Sequence, residues 1–241
     1  MSSPELESVY FRSYGLHTVQ DSLGDIHIAS EPDWDSLFDL LISDLPEDGV
    51  IVTPELSGFS GPLAEIPEHK TEICGRIEGV RELSRATDAV IMFGTPLREK
   101  NGSWYNGVLH FRNGRVDGCD LKSNLSMFEE QSGMLASGDG SRLPRFGRTT
   151  LICSEMLSPE ELAVETSTVL VPACWATPLP DVRGGKSPLK LDDRDYLNFL
   201  RLGASTVMSS YLAVDTIVVA DRNMPGSDCD GPFNAVFSRV Q

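Results

Sequence analysis

The spacing of apolar residues along the chain predicts alternating strands and helices. Residues 25–30 alternate between apolar and polar side chains as a half-exposed strand does, and apolar residues then recur at helical spacing from Trp34 to Ile42. The next apolar run, residues 49–53, lacks this alternation, which is typical of a strand buried on both faces. The early part of the chain therefore predicts a strand, a helix and a buried strand of an α/β fold.

The alternation of strands and helices continues toward the C-terminus. Asn113-Gly114 separates two strand-like segments, and this pair is a strong hairpin signal because both turn positions need positive φ. The other predicted strands span residues 89–94, 104–112, 115–119, 149–152, 168–172, 215–220 and 233–237, and the other predicted helices span about residues 68–86 and 192–203.

The domain organisation follows from where the periodicity begins. Residues 1–24 show no sustained periodicity and are predicted to form an N-terminal extension. Residues 25–241 contain no repeat, low-complexity segment or linker. A chain of this length commonly forms one domain in α/β folds, so we expect a single domain over residues 25–241.

Charge and composition narrow the classes of partner. The formal net charge is −16 over 241 residues, which argues against nucleic acids and anionic membranes because both would repel the chain. No apolar run approaches the roughly 20 residues that span a bilayer, and no secretion signal is visible, so we expect a cytoplasmic protein. The five cysteines and four histidines show no CxxC or HExxH spacing, and we therefore expect neither a disulfide framework nor a metal site.

Cys153 lies at a predicted corner between a strand and a helix. Residues 149–152 favour a strand, and the sequence Ser158-Pro159-Glu160-Glu161 favours a helix start with Ser158 as its cap. A nucleophile at such a corner points out of the sheet. The alternative is a buried strand-end cysteine that serves as a small hydrophobic residue.

Two other strand ends carry charged side chains that would complement a thiol. Glu55 follows the strand at 49–53, and Lys122 follows the hairpin. Ligand sites in α/β sheets gather at the C-terminal ends of strands, so Glu55, Lys122 and Cys153 are expected to converge. A carboxylate can accept the thiol proton, and an ammonium can stabilise the negative charge that develops when a thiolate attacks an amide or nitrile. Alternatively, Glu55 and Lys122 are solvated loop residues.

The sequence around these residues resembles the nitrilase, or carbon-nitrogen hydrolase, superfamily over about residues 25–238. The similar segments are VTPELSGFSG, the LK pair that contains Lys122, LICSE, FGTPLREKNGSWYNGVLHFRNGRV and VLVPACW. The resemblance implies a four-layer αββα sandwich, a covalent thioester or thioimidate intermediate, no metal or organic cofactor, and a homodimer formed through helices beside the active site.

The resemblance also implies roles for individual residues. Glu55 would be the general base, Lys122 would stabilise the tetrahedral intermediate, and Cys153 would be the nucleophile, with the Ser154 N–H completing the oxyanion site. A second carboxylate follows the lysine in this family. We assign it to Glu130, with the adjacent Glu129 as a competing candidate. The residues expected to contact substrate are Ser154, Glu129, Trp175 and Tyr105.

Some features depart from the family pattern and leave alternative functions open. Ser154 stands where the family usually has an aromatic residue, and the predicted helix after Glu155 is short. The favoured function is hydrolysis of a small linear amide or a nitrile. The alternatives are a catalytically silent relative that acts in binding or assembly, and an acyltransferase that forms amides with the same triad.

Overall fold

A computed structural model describes residues 4–159, 162–175, 193–223 and 232–240. The strands are β1 (Leu6–Phe11), β2 (Gly15–Asp21), β3 (Gly24–Ser30), β4 (Val50–Val52), β5 (Val90–Arg98), β6 (Trp104–Arg112), β7 (Arg115–Leu121), β8 (Arg148–Thr150), β9 (Thr168–Trp175), β10 (Thr216–Asn223) and β11 (Asn234–Arg239). The α-helices are α1 (Trp34–Ser43), α2 (Lys70–Leu83), α3 (Met127–Ser132) and α4 (Asp193–Ser210). Short 3-10 turns cover Leu63–Glu65 and Cys153–Leu157.

The described strands form two sheets. One sheet has the order β1-β11-β10-β9-β8, and the other has the order β2-β3-β4-β5-β6-β7. Parallel pairing joins β3, β4 and β5 in one sheet and β8, β9 and β10 in the other. Within each sheet, the three parallel strands end at the same edge. The loops that follow these strands can therefore bring their side chains close together.

The two sheets pack face to face, with helices on their outer faces. In β4, Val50 and Val52 belong to the core between the sheets, whereas Ile51 packs with residues of α1 and α2. Leu200 and Val207 of α4 join the core of the five-stranded sheet. The uninterrupted apolar run of β4 thus reflects burial on both faces. The four-layer αββα fold class predicted from the sequence is confirmed.

The predicted turn of the β6–β7 hairpin is present. Asn113 and Gly114 have φ angles of 50° and 72°, so both turn positions adopt the left-handed region that the sequence pair favours. The hairpin carries β7 to its end at Leu121, directly before Lys122.

The N-terminal segment contains two strands that the apolar pattern did not predict. β1 pairs antiparallel with β11, and β2 pairs antiparallel with β3, so residues 6–11 and 15–21 belong to the two sheets. The predicted N-terminal extension over residues 1–24 therefore contains two strands that pair within the sheets. β1 lies at a sheet edge, and Val9 and Tyr10 are exposed, which removes the alternation expected of a half-buried strand.

The chain after Cys153 also differs from the prediction. The helix expected to begin at Ser158 is replaced by the 3-10 turn Cys153–Leu157, and the described residues 162–167 are irregular. The turn begins at the cysteine because Glu155 accepts a hydrogen bond from the Ile152 N–H and closes it locally. Within the described part of the chain, no helix is long and apolar enough to cross a membrane.

Candidate active site

Three strand ends bring Glu55, Lys122 and Cys153 together. Glu55 follows β4, Lys122 follows β7 and Cys153 follows β8. The backbone around Glu55 passes so close to β5 that a Cβ atom at Gly94 would collide with the Pro54 carbonyl. A glycine at this position therefore lets the Glu55 backbone sit against the sheet.

Lys122 joins two carboxylates in the interior. Its Nζ donates to Oε1 of Glu55 at 2.6 Å and to Oε2 of Glu129 at 2.7 Å. The three side chains are 1–4% exposed. An ammonium has three hydrogens, so these two contacts leave one for a further acceptor.

Asn106 holds the two carboxylates in place. Its Nδ2 donates to Oε1 of Glu55 at 2.5 Å and to Oε1 of Glu129 at 2.6 Å. Asn106 lies within the segment FGTPLREKNGSWYNGVLHFRNGRV, but it is not among the site residues predicted from the sequence. A signal was available, because Asn106 is a polar residue within a largely apolar strand, and a fully buried amide needs polar partners.

Cys153 is buried at the sharp turn that follows β8. Its φ angle is 52°, in the left-handed region that non-glycine residues rarely occupy, and its side chain is 4% exposed. Its thiol lies close enough to Glu55 for the charge of that carboxylate to raise the thiol pKa, and Oε2 of Glu55 accepts the Cys174 N–H at 3.0 Å. The strained corner thus directs the sulfur at the carboxylate.

The electrostatics favour a neutral thiol beside a basic carboxylate. Burial raises the pKa of the Cys153 thiol well above its usual value, the charge of Glu55 raises it further, and Lys122 acts in the opposite sense. Burial also raises the pKa of Glu55, and the charge of Glu129 adds to the rise, although Lys122 opposes it. Glu55 is therefore a stronger proton acceptor than an ordinary glutamate.

Lys122 and Glu129 keep their charges. Burial alone would lower the pKa of Lys122, but the negative charges of Glu55 and Glu129 outweigh it and raise the pKa well above its usual value. Burial opposes ionisation of Glu129, and Lys122 together with Asn106 and the Ser126 backbone overcomes that cost and lowers its pKa. The resting site consequently combines a permanent cation with a permanent anion.

Glu155 connects the nucleophile turn to the lysine strand. It is fully buried, and its carboxylate accepts hydrogen bonds from the Ile152 N–H at 2.7 Å and the Ser123 N–H at 2.7 Å, and pairs with Arg142. Ile152 precedes Cys153, and Ser123 follows Lys122. One carboxylate therefore fixes the backbone beside two members of the cluster.

The structure corrects the choice of second carboxylate. Glu129 contacts Lys122, whereas Glu130 is exposed. The cause is the phase of α3: Ser126 caps the helix, and Glu129, at the third helical position, closes a capping box onto the Ser126 N–H at 2.7 Å. The next residue is rotated by roughly 100° about the helix axis and faces solvent.

The residues expected to contact substrate lie in different places. Tyr105 is adjacent to Asn106 on β6, so its side chain lies on the opposite face of the sheet, where its hydroxyl accepts from Asn101 at 3.3 Å. Its assignment to the site is corrected on that ground. Ser154 is adjacent to the nucleophile, and its Oγ donates to the Asn124 carbonyl at 2.8 Å. The Trp175 side chain lies outside the described residues.

Metal ligation has no support within the described residues, where no group of three His, Cys, Asp or Glu side chains could hold an ion. The three carboxylates near the cluster are already committed to Lys122, Asn106, Arg142 and backbone N–H groups.

Comparisons with known proteins identify the fold. No protein-family model and no curated protein matches the sequence. Among solved structures, an amidase of the nitrilase superfamily from Nesterenkonia AN1 superposes with a TM-score of 0.59 at 15% identity, covering 97% of this chain and 90% of that chain. A carbon-nitrogen hydrolase from Helicobacter pylori G27 gives 0.57 at 10% identity, covering 98% and 90%.

A larger enzyme contains the same fold as a part. Glutamine-dependent NAD+ synthetase from Acinetobacter baumannii superposes with a TM-score of 0.57 at 18% identity, and the match covers 96% of this chain but 40% of the synthetase. Together with the two-sheet architecture, these matches show that the chain has the nitrilase-superfamily fold.

Proposed function

We propose that this chain is a thiol hydrolase that cleaves the non-peptide C–N bond of a small linear amide, or hydrolyses a nitrile, through a covalent intermediate on Cys153. The observation that carries the proposal is the buried Lys122 Nζ–Glu55 Oε1 contact at 2.6 Å beside the buried Cys153 thiol, whose pKa the charges of both residues affect. A structural ion pair would not need a thiol at a strained corner. One structural neighbour, a variant of the Nesterenkonia amidase, carries the acetamide moiety of fluoroacetamide covalently at its active-site cysteine.

The first half-reaction forms the thioester. As the sulfur of Cys153 attacks the amide carbon, the S–H proton passes to Glu55, which the raised pKa of that carboxylate favours. The C=O electron pair moves onto oxygen and gives a tetrahedral intermediate. Glu55 then returns the proton to the amide nitrogen, the C–N bond breaks, and ammonia or an amine leaves.

Lys122 stabilises the negative charge that develops on oxygen. Two of its ammonium hydrogens bind Glu55 and Glu129, and the third is available to the substrate oxygen. The Ser154 N–H, which donates to no backbone carbonyl within the described residues, is the proposed second donor. Glu129 anchors the lysine rather than reacting itself.

The second half-reaction consumes water. Glu55 removes a proton from a water molecule as it attacks the thioester carbon, and the resulting intermediate expels the Cys153 thiolate, which recovers a proton from Glu55. The products are a carboxylic acid and the free thiol. With a nitrile, addition of the Cys153 thiol gives a thioimidate without loss of a leaving group. One water then adds to the thioimidate and ammonia leaves, which gives the thioester, and a second water hydrolyses the thioester as above.

The test is turnover of a panel of small aliphatic and aromatic amides and nitriles, followed by ammonia release. We expect activity on at least one amide and its loss in Cys153→Ala, whereas Cys119→Ala, which removes an exposed thiol outside the cluster, retains it. Equal activity of Cys153→Ala and the parent protein would refute the proposal. Absence of turnover on the whole panel would favour the silent relative.

A further inference from the structure

A largely apolar cavity of about 500 Å³ lies beside the catalytic cluster. Its apolar lining includes Leu56, Phe59, Leu63 and Phe128, and the one charged side chain on its wall is Arg222. Cavities of this size hold small-molecule ligands. In a largely apolar cavity, a single charged side chain is the kind of group that determines which ligand binds.

Chain connectivity places this cavity next to the reacting atoms. Leu56 directly follows Glu55, and Phe128 directly precedes Glu129. Cys174 lines the cavity, and its backbone N–H donates to Glu55. These links place the cavity beside the Glu55 carboxylate, and we expect an acyl group attached to Cys153 to occupy it.

Arg222 faces the same space from the neighbouring strand. It pairs in register with Cys174 across β9 and β10, and its charge acts on the Cys174 thiol. Burial raises the pKa of that thiol to about 11 although Arg222 acts to lower it, so Cys174 is not a thiolate that could balance the guanidinium.

Arg222 differs from the other buried arginines of the described chain in having no carboxylate partner. Arg142 pairs with Glu155, and Arg148 pairs with Asp21 at 2.6 Å. Arg222 is 3% exposed, and no Asp or Glu of the described residues forms an ion pair with it.

The hydrogen bonds of Arg222 are also incomplete. Its Nη2 donates to the Phe59 carbonyl at 2.8 Å, but its Nε has no acceptor among the described residues. A buried charge without a counter-charge is costly, and a guanidinium matches a carboxylate with two parallel hydrogen bonds. The cavity thus presents an unbalanced cation to whatever occupies it.

We infer that Arg222 binds a carboxylate of the substrate, so that the preferred substrates are amides whose apolar acyl chain ends in a carboxylate. The inference rests on the proposed hydrolysis at Cys153 and names the substrate class for that site. The apolar wall contacts the methylene chain, and the guanidinium supplies the counter-charge that the described residues lack.

A purely structural role for Arg222 makes a different prediction. Its bond to Phe59 holds the loop after Glu55, and Arg76 holds the adjacent Gly58 carbonyl at 3.2 Å in the same way. Arg76 already pairs with Glu72 and does not line the cavity. Arg76→Gln is therefore the matched control for a loop anchor.

The experiment is calorimetric titration of a Cys153→Ala protein with the monoamides of succinic, glutaric and adipic acids. Each is compared with the neutral amide in which an isopropyl group replaces the carboxylate. We expect at least one acid to bind about 10- to 100-fold more tightly than its neutral counterpart. Arg222→Gln should reduce this ratio to about one, Arg222→Lys should keep part of it, and Arg76→Gln should keep all of it.

Three results would overturn the inference. They are an affinity ratio near one in the Cys153→Ala protein, a ratio that persists when Arg222→Gln is added, and binding of neither the acid nor the neutral amide. Wild-type turnover separates this failure from failure of the proposed function. If the neutral amides are hydrolysed and the affinity ratio is near one, the proposed hydrolysis is supported and the carboxylate site is refuted. If the affinity ratio is high and depends on Arg222 but no amide is turned over, the carboxylate site is supported and the proposed hydrolysis is refuted.

Discussion

Two adjacent glutamates of α3 occupy different environments. Glu129 is buried between Lys122 and Asn106, and Glu130 faces solvent. The buried position of Glu129 follows from its capping box with Ser126, a pattern that can be found in the sequence. The spacing from Lys122 alone favours Glu130 instead. The helix phase is therefore the physical fact that decides between them.

Removing the charge at Glu129 tests its positioning role. Glu129→Gln should lower kcat by about 100-fold, because Lys122 loses one of its two anchors and misplacement of a catalytic group has effects of this size. Glu130→Gln should change kcat by less than about twofold, since surface changes have small effects. Steady-state kinetics of both variants, with circular dichroism to verify folding, decides the assignment. A greater loss in Glu130→Gln would contradict it.

The pH dependence of the reaction reports on Glu55. The carboxylate must be ionised to take the thiol proton, so activity should rise as pH increases through its pKa. Because burial and Glu129 raise that pKa, the acid limb of kcat/KM should lie above the ordinary glutamate value of about 4.3.

The Glu129→Gln variant tests whether the acid limb of kcat/KM belongs to Glu55. In Glu129→Gln, loss of the neighbouring negative charge should lower the Glu55 pKa and move the acid limb to lower pH, and Glu130→Gln should leave the limb in place. A limb at or below the ordinary glutamate value in the parent protein would contradict a buried general base.

At the scale of elements, a buried ion pair joins the strand ends that carry the reacting residues. Glu155 bonds the backbone at Ile152 and Ser123 while it pairs with Arg142. Loss of one member leaves the other buried and unpaired, so Glu155→Gln or Arg142→Met alone should cost about 3–5 kcal/mol of unfolding free energy.

The double variant should cost clearly less than the sum of the two single variants, because both charges are then absent. Urea denaturation of the four proteins measures the coupling. Additive costs would show that Glu155 and Arg142 stabilise the fold independently.

Elements with local signals could be predicted from the sequence. The β6–β7 hairpin follows from Asn113-Gly114, and the buried strand β4 follows from its apolar run. β1 could not be predicted, because its stability comes from pairing Tyr10 with Ala235 at the other end of the chain. An α-helix from Ser158 was expected after Cys153, but Glu155 closes a shorter turn by accepting the Ile152 N–H. The Ser123 N–H, which also binds this carboxylate, belongs to a residue distant in sequence.

Only some residues of the candidate site could be predicted from the sequence. Glu55, Lys122 and Cys153 stand at strand ends and could be selected from the sequence. Asn106 and Arg222 gain their importance only when the fold surrounds them with carboxylates or with an apolar cavity. Burial and counter-charges depend on tertiary packing, which a single sequence does not display.

At the scale of the whole molecule, the homodimer stays a prediction. Each chain carries a net charge of −16, so two copies repel, and the repulsion is screened by salt. Light scattering at micromolar concentration should give twice the mass of one chain, with the dimer fraction rising with ionic strength. The mass of a single chain at both low and high salt would contradict the prediction.

The central claim is that Cys153 forms a covalent acyl intermediate. Rapid-quench intact-mass spectrometry during turnover of an amide identified in the panel measures it most directly. We expect a mass increase equal to the acyl group, located by peptide mapping on Cys153 and absent from Cys153→Ala. Ammonia release with no adduct, or an adduct on Cys174 instead, would contradict a covalent intermediate on Cys153.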